Sequence, residues 1–199
     1  MCGTYSSLPT RIRGIVMIIT FFGHRQLWKQ TEIEERIEQA IKPYLNEPKV
    51  RVLIGCHGEF DRLALTVCRR LRKEHKNIEI CVILTSLAML QKGGFGFSPA
   101  DYYDDVETMY YDIEEVHFKN RIVVTNRNMV DSSDVVICYV DFKRYGSGAK
   151  RAVNYAKRQK KTIINLYKEQ DHPFYGMTRE EIDQHFKDWK SKLKKDSRD

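Results

Sequence analysis

Apolar positions along the chain follow two different spacings, and the two alternate. Short continuous apolar runs rich in β-branched residues predict strands buried on both faces. These are residues 15–22, "VRVLIG" (Val50–Gly55), "IEICVIL" (Ile78–Leu84), "DVVICYV" (Asp134–Val140) and "KTIINLY" (Lys161–Tyr167). "VETMYY" (Val106–Tyr111) reads as a further short strand. Between the runs, apolar residues recur every three or four positions, the spacing of a helix with one buried face. Ile33, Ile37, Ala40, Ile41 and Tyr44 form such a stripe over Thr31–Leu45, with Thr31 and Glu34 placed as a capping box. Phe60, Ala64, Val67, Cys68 and Leu71 form another over residues 59–75. Helices are also predicted over Asn120–Ser132 and Gly146–Gln159. Thr178 and Glu181 pattern as a second capping box, opening an amphipathic helix that carries Ile182, Phe186, Trp189 and Leu193.

Strands alternating with helices predict an α/β fold. The expected form is a mostly parallel sheet of about five strands with helices on both faces, plus a C-terminal amphipathic helix. The expected organisation is an N-terminal extension over 1–16, a ligand-binding domain over 17–168 and a helical appendage over 169–199. Residues 1–16 read as sequence upstream of the natural start or as a weakly ordered arm, because Met17 opens the first predicted strand. Ligands of parallel sheets bind beyond the carboxyl ends of the strands, near the point where strand order reverses. The loops after the first, second and fourth long runs therefore matter most.

After the first strand, Gly23 permits close backbone approach, and His24 and Arg25 follow with cation-capable side chains. Arginine's planar fork suits phosphate; equally, His24 can be a satisfied core histidine in a plain turn. After the second strand comes "GCHGEFD" (Gly55–Asp61). Gly55 and Gly58 clear space, His57 can reach a base or ribose or face solvent, and Asp61 can order the helix start. Glu59 and Asp61 are the candidate carboxylates for acid–base work, although a first-turn carboxylate also simply favours the helix dipole. After the fourth comes "YGSGAKRA" (Tyr145–Ala152), a second glycine turn before a helix, in which Gly146, Ser147 and Gly148 can cradle a phosphate. Lys150 in the first helical turn opposes the helix dipole, an arrangement that an anion would relieve.

Charge sharpens this picture. The net charge is +7, and no acid interrupts the eight lysines and arginines between Lys143 and Lys161. Such a run is either a solvated helix face or a site for a phosphate-bearing ligand or nucleic acid. Five cysteines, with no CxxC spacing, read as reduced thiols of a cytoplasmic protein and predict no metal site. No apolar run reaches the ~18–20 residues of a membrane span, and the leader lacks a signal-peptide cleavage pattern. The sequence "SLAMLQKGGFGFSPADYYDD" (Ser86–Asp105) reads as a long loop whose Phe95, Phe97, Tyr102 and Tyr103 can cover a pocket or pack on their own domain.

The segments "TFFGHRQL", "GCHGEFDRLAL", "NRNMVDSSDVVICYV" and "YGSGAKRAVNYAKRQKKTIINL", in this order and spacing, resemble the SLOG superfamily, named for the Smf/DprA and LOG proteins. They most resemble its stand-alone members from Firmicutes and their phages. The resemblance implies a Rossmann-like fold and a pocket for a nucleotide or an ADP-ribose-like molecule; no cofactor is identified. LOG-type relatives cleave the N-glycosidic bond of nucleoside monophosphates with a PGGxGTxxE glutamate and an upstream arginine. Here the threonine position falls near Ala149 or Lys150, and no glutamate follows in the helix turn. Asn126 and Met129 match the R-N-x-x-M pattern, but Thr125 holds the arginine position, with Arg127 two residues later. Both departures count against LOG-type hydrolysis.

Three expectations follow. The first is a binder or sensor of a nucleotide-derived small molecule, without the LOG glutamate. The second is a nucleotide-processing N-glycosidase using Glu59 or Asp61. The third is a DprA-like nucleic-acid-binding module, which would bind with a steep salt dependence. The C-terminal stripe can pack on its own domain or join two copies as a homodimer.

Overall fold

The computed structural model describes residues 16–86, 105–108 and 113–196. Six parallel strands form one sheet: β1 (Met17–Gly23), β2 (Val50–Ile54), β3 (Ile78–Leu84), β4 (Asp105–Thr108), β5 (Val135–Tyr139) and β6 (Thr162–Asn165). The spatial order is β4-β3-β2-β1-β5-β6. This is an α/β, Rossmann-like arrangement. Of the short strand expected in Val106–Tyr111, Val106–Thr108 lie in β4, at the edge of the sheet beside β3, and residues 109–111 lie outside the described residues. Of the long loop, residues 87–104, with its four aromatics, lie outside the described residues, as do residues 1–15.

The chain builds outward from β1 in one direction through β2 and β3 to β4. It then returns to the other side of β1 for β5 and β6. Strand order therefore reverses between β1 and β5, where Gly23 pairs in register with Tyr139. Parallel crossovers of one hand put the helices of the two halves on opposite faces. Helices α1 (Gln30–Ile41) and α2 (Glu59–Glu74) pack together on one face. Helices α3 (Phe118–Ser132) and α4 (Gly148–Arg158) pack together on the other.

The sheet separates two apolar clusters because alternate side chains of a strand point to opposite faces. From β1 and β5, Ile19, Phe21, Val135, Ile137 and Tyr139 join the α1–α2 cluster. Phe22, Val136, Cys138 and Val140 join the α3–α4 cluster. The Asp134 carboxylate accepts the Ile18 N–H at 3.0 Å and ties the entry of β5 to β1.

Two local expectations differ in detail. The Thr31–Glu34 capping box does not form. α1 begins at Gln30 with Lys29 as an uncapped N-cap, and Glu34 pairs with Arg70 of α2 at 3.4 Å. The helix also stops at Ile41 and tightens into a 3₁₀ turn over Lys42–Tyr44, where Pro43 cannot donate the next helical bond.

The chain divides into two compact units, one ending at Tyr167 and the other beginning at Lys168. The second holds a 3₁₀ turn, Glu169–Asp171, and α5, Arg179–Asp196. Here the expected capping box is present. The Thr178 N–H donates to Glu181 Oε2 at 2.7 Å, and the Glu181 N–H donates to Thr178 Oγ1 at 3.3 Å. Within this unit the Phe174 ring packs edge-on to His185 and tilted against Phe186. No helix among the described residues is long and apolar enough to cross a membrane.

Candidate functional site

At the reversal point the carboxyl ends of β1, β2 and β5 open into a cleft of about 680 Å³, within the ~300–1,000 Å³ typical of small-molecule sites. Gly23, His24, Arg25, Gly55, His57, Gly58, Asp61, Asn126, Arg127, Gly146, Ser147 and Gly148 all line it. Three loops and the facing sides of α3 and α4 thus meet in one place.

The glycines of the first two loops are packing residues. A methyl group on Gly23 would overlap the Phe60 ring, so α2 sits directly against the end of β1. A methyl on Gly55 would press on Asp61 Oδ2 at 3.1 Å, and one on Gly58 would press on Arg25 Cα at 3.0 Å. The two loops are therefore nested. The Arg25 carbonyl accepts the Glu59 N–H at 3.0 Å, and Glu59 Oε2 accepts the Leu27 N–H at 2.7 Å. Glu59 is spent on this clasp and is absent from the lining of the cleft.

Asp61 does line it. Its Oδ2 accepts the His57 N–H at 2.8 Å, and the Gly58 N–H also donates to it. Burial pushes its carboxyl up to about 6, against those two bonds and the Arg25 charge, which pull it down. His57 Nε2 lies 3.1 Å from Thr85 Oγ1, and burial together with Arg25 holds the ring below its ordinary value. Cys56 beside it is an inert thiol, pushed up to about 12 by burial and by Asp61.

His24 is buried under the cleft, edge-on to Tyr139 and Tyr167. The Asp141 N–H donates to its Nε2 at 2.9 Å. An amide donor requires that nitrogen to be unprotonated, so His24 is neutral with its proton on Nδ1. Burial first, and Arg144 second, hold it below its ordinary value. The expected cation at this position is thus a fixed neutral ring, leaving Arg25 as the charge of its loop.

On the far side, Gly146 adopts φ +70°, a conformation glycine takes without strain. Ser147 caps α4, its Oγ accepting the Lys150 N–H at 3.2 Å. The amides of Gly148 and Ala149 remain without a partner among the described residues, at the positive end of an eleven-residue helix. Lys150 does not line the cleft. Its ammonium donates to the Phe142 carbonyl at 2.5 Å and lies 5.8 Å from the Tyr145 ring centre. A carbonyl, rather than an anion, relieves its unfavourable place in the first turn.

Lys119, Ile122 and Val123 of α3 and Tyr155 of α4 also line the cleft, outside the sequence expectation, whereas Arg144, Arg151 and Arg158 belong to the basic run between Lys143 and Lys161. A signal was present in the spacing. Within α4, Arg151 and Arg158 stand seven residues apart, about two helical turns, in phase with Gly148 and Tyr155.

Charge in the cleft is one-sided. Arg25, Lys119, Arg127, Arg144, Arg151 and Arg158 line it, with Asp61 the one carboxylate among the described lining residues. None of the six makes an ion pair among the described residues. Elsewhere on the same unit Arg36, Arg51, Arg62, Arg70 and Arg121 all do. Among the described residues no cluster of three or more His, Cys, Asp or Glu could hold a metal ion.

Fold and site together define a Rossmann-like α/β protein with a cationic cleft at its strand-order reversal. The chain matches no family model and no curated protein sequence.

Proposed function

We propose that the protein binds a nucleotide or nucleotide-derived anion in this cleft, as a SLOG-like binder or sensor. The observation that carries the reading is the set of six cations, without ion pairs among the described residues, in the one cleft that also holds the free amides at the start of α4. Like charges gathered without counter-charges are costly, and a bound phosphate removes that cost. In this reading Arg144 and Arg151, which precede and follow the α4 amides in the chain, form the phosphate end of the site together with Arg25 of the β1 loop. Asp61 accepts a donor, a ribose hydroxyl or an exocyclic amine, at the opposite wall. The resemblance to SLOG proteins points to the same ligand class.

The test is calorimetric titration of the full-length protein with the four ribonucleoside monophosphates and their nucleosides, beside mass spectrometry of molecules released on denaturation. At least one monophosphate should bind in the micromolar range and its nucleoside at least tenfold more weakly, about 1.4 kcal/mol. Equal binding of both, or of neither, overturns the reading.

A second reading rests on Asp61. A cleft carboxyl held at about 6 can both give and take a proton near neutrality. An N-glycosidase using it would release free base and ribose phosphate from the bound monophosphate, and Asp61→Asn would stop the release. Intact ligand after prolonged incubation leaves the binder. Retention of DNA that falls steeply with salt would favour a nucleic-acid module instead.

A further inference from the structure

We propose that the cleft takes a nucleotide with two phosphates set one sugar apart, the first at the start of α4 and the second between Arg127 and Arg158. This rests on the reading of the inner cleft as a nucleotide phosphate site. The observation behind it is the arrangement around Tyr155. The Arg127 guanidinium of α3 lies 5.6 Å from the Tyr155 ring centre, and that of Arg158 lies 5.8 Å from it. The Tyr155 hydroxyl donates to the Asp131 carboxylate at 3.0 Å, which fixes the ring between the two helices.

Asp131 stands one helical turn from Arg127, where an ion pair is the usual outcome. It takes the phenol instead. Both arginines are left without an ion pair among the described residues, and both line the cleft. A cation–π contact holds a guanidinium through its charge without using its N–H groups, which stay able to donate. Two forks are therefore held on one tyrosine with their donors unspent.

Spacing separates this pair from the inner site. Tyr155 and Arg158 stand seven and ten residues beyond Gly148, roughly 10 and 15 Å along the helix axis. A phosphate on the Gly148 and Ala149 amides does not reach that far. Both arginines and the α4 amides line the same cleft, so one ligand with two anionic groups can meet both. A mononucleotide would bring only its neutral base or sugar to this end. A second phosphate is the group that two free guanidinium forks recognise.

The test is the affinity ratio between each ribonucleoside 3′,5′-bisphosphate and its 5′-monophosphate, measured by calorimetry on the full chain. The bisphosphate of the preferred base should bind at least about tenfold more tightly. In R127Q/R158Q that ratio should fall to within about twofold of one, and R127K/R158K should recover part of it. A ratio near one in the wild type overturns the proposal, as does a ratio that survives R127Q/R158Q. An equal gain for the monophosphate on adding inorganic phosphate would mean two separate anions and would also overturn it. Failure of every monophosphate and bisphosphate to bind would instead overturn the parent reading of the cleft.

Discussion

The backbone N–H of Asp141 donates to Nε2 of His24 at 2.9 Å, across 117 residues of sequence. The bond joins the loop after β1 to the loop after β5, the two strands between which the sheet reverses. It also sets the charge of the cleft floor, because an acceptor nitrogen cannot carry a proton. Burial keeps His24 below its ordinary value of 6.5. The unfolded chain therefore takes up a proton at this residue before the folded chain does. Stability attached to His24 is complete above about 6.5 and falls as the pH drops below it. His24→Gln keeps an acceptor in place without a titrating group. Urea denaturation from pH 8 to pH 5 should show the wild type losing stability relative to His24→Gln as the pH falls. Parallel curves would contradict this. His24→Ala leaves the Asp141 amide without its partner and should cost about 1–3 kcal/mol at pH 8.

Gly23 and Phe60 occupy each other's space as closely as their atoms allow, with the Phe60 ring in turn stacked on Tyr139 at 6.0 Å between centres. Gly23→Ala should destabilise by about 1–3 kcal/mol through overpacking. In a Phe60→Leu background the same change should cost less, a coupling visible in a double-mutant cycle by urea denaturation. Additive losses would show that the crowding lies elsewhere.

Arg151 lines the cleft with no ion pair among the described residues. Arg151→Gln should leave the melting temperature within about 2 °C of the wild type. Its monophosphate affinity should fall about tenfold, the worth of a hydrogen bond to a charged group. Loss of stability with unchanged affinity would make Arg151 a structural residue.

Asp61 offers a test with the opposite sign. Burial pushes its carboxyl up to about 6, so acidification from pH 7 to pH 5 should remove the negative charge from the proposed anion site. Sulfate keeps its own charge over that range and serves as the probe. Sulfate should bind the wild type several-fold more tightly at pH 5 than at pH 7, following the loss of a nearby like charge. Asp61→Asn should bind it tightly at pH 7 with little change on acidification. Equal pH dependence in the two proteins would place the titration on another group.

Much of this architecture follows from local pattern. The runs at Val50–Gly55, Ile78–Leu84 and Asp134–Val140 could be read as strands because parallel strands buried on both faces leave continuous apolar sequence. The glycine turns at Gly55–Gly58 and Gly146–Gly148 could be read as site loops because strand–turn–helix order puts them at one edge of the sheet. Chain-local capping between Thr178 and Glu181 formed as its spacing suggests, since both partners lie within one turn. The Thr31–Glu34 pair has the same spacing and failed, because α1 begins at Gln30 and so takes Thr31 inside its first turn, while Glu34 pairs with Arg70 on the neighbouring helix.

Partner choice of that kind is what sequence alone leaves open. Glu59 and Asp61 are both first-turn carboxylates of α2. One lies in the clasp with Leu27 and the other in the cleft, because residues two apart on a helix point in different directions. Lys150 and Arg151 are adjacent cations. One turns back to the Phe142 carbonyl and the other lines the cleft. His24 lost its charge to an amide in a loop 117 residues away. The sequence by itself determined which segments become strands, helices and turns, since those depend on neighbours within a few residues. The tertiary structure decided which polar side chains are spent on the fold and which remain for a ligand, since that depends on groups the chain brings together only when the sheet closes around β1.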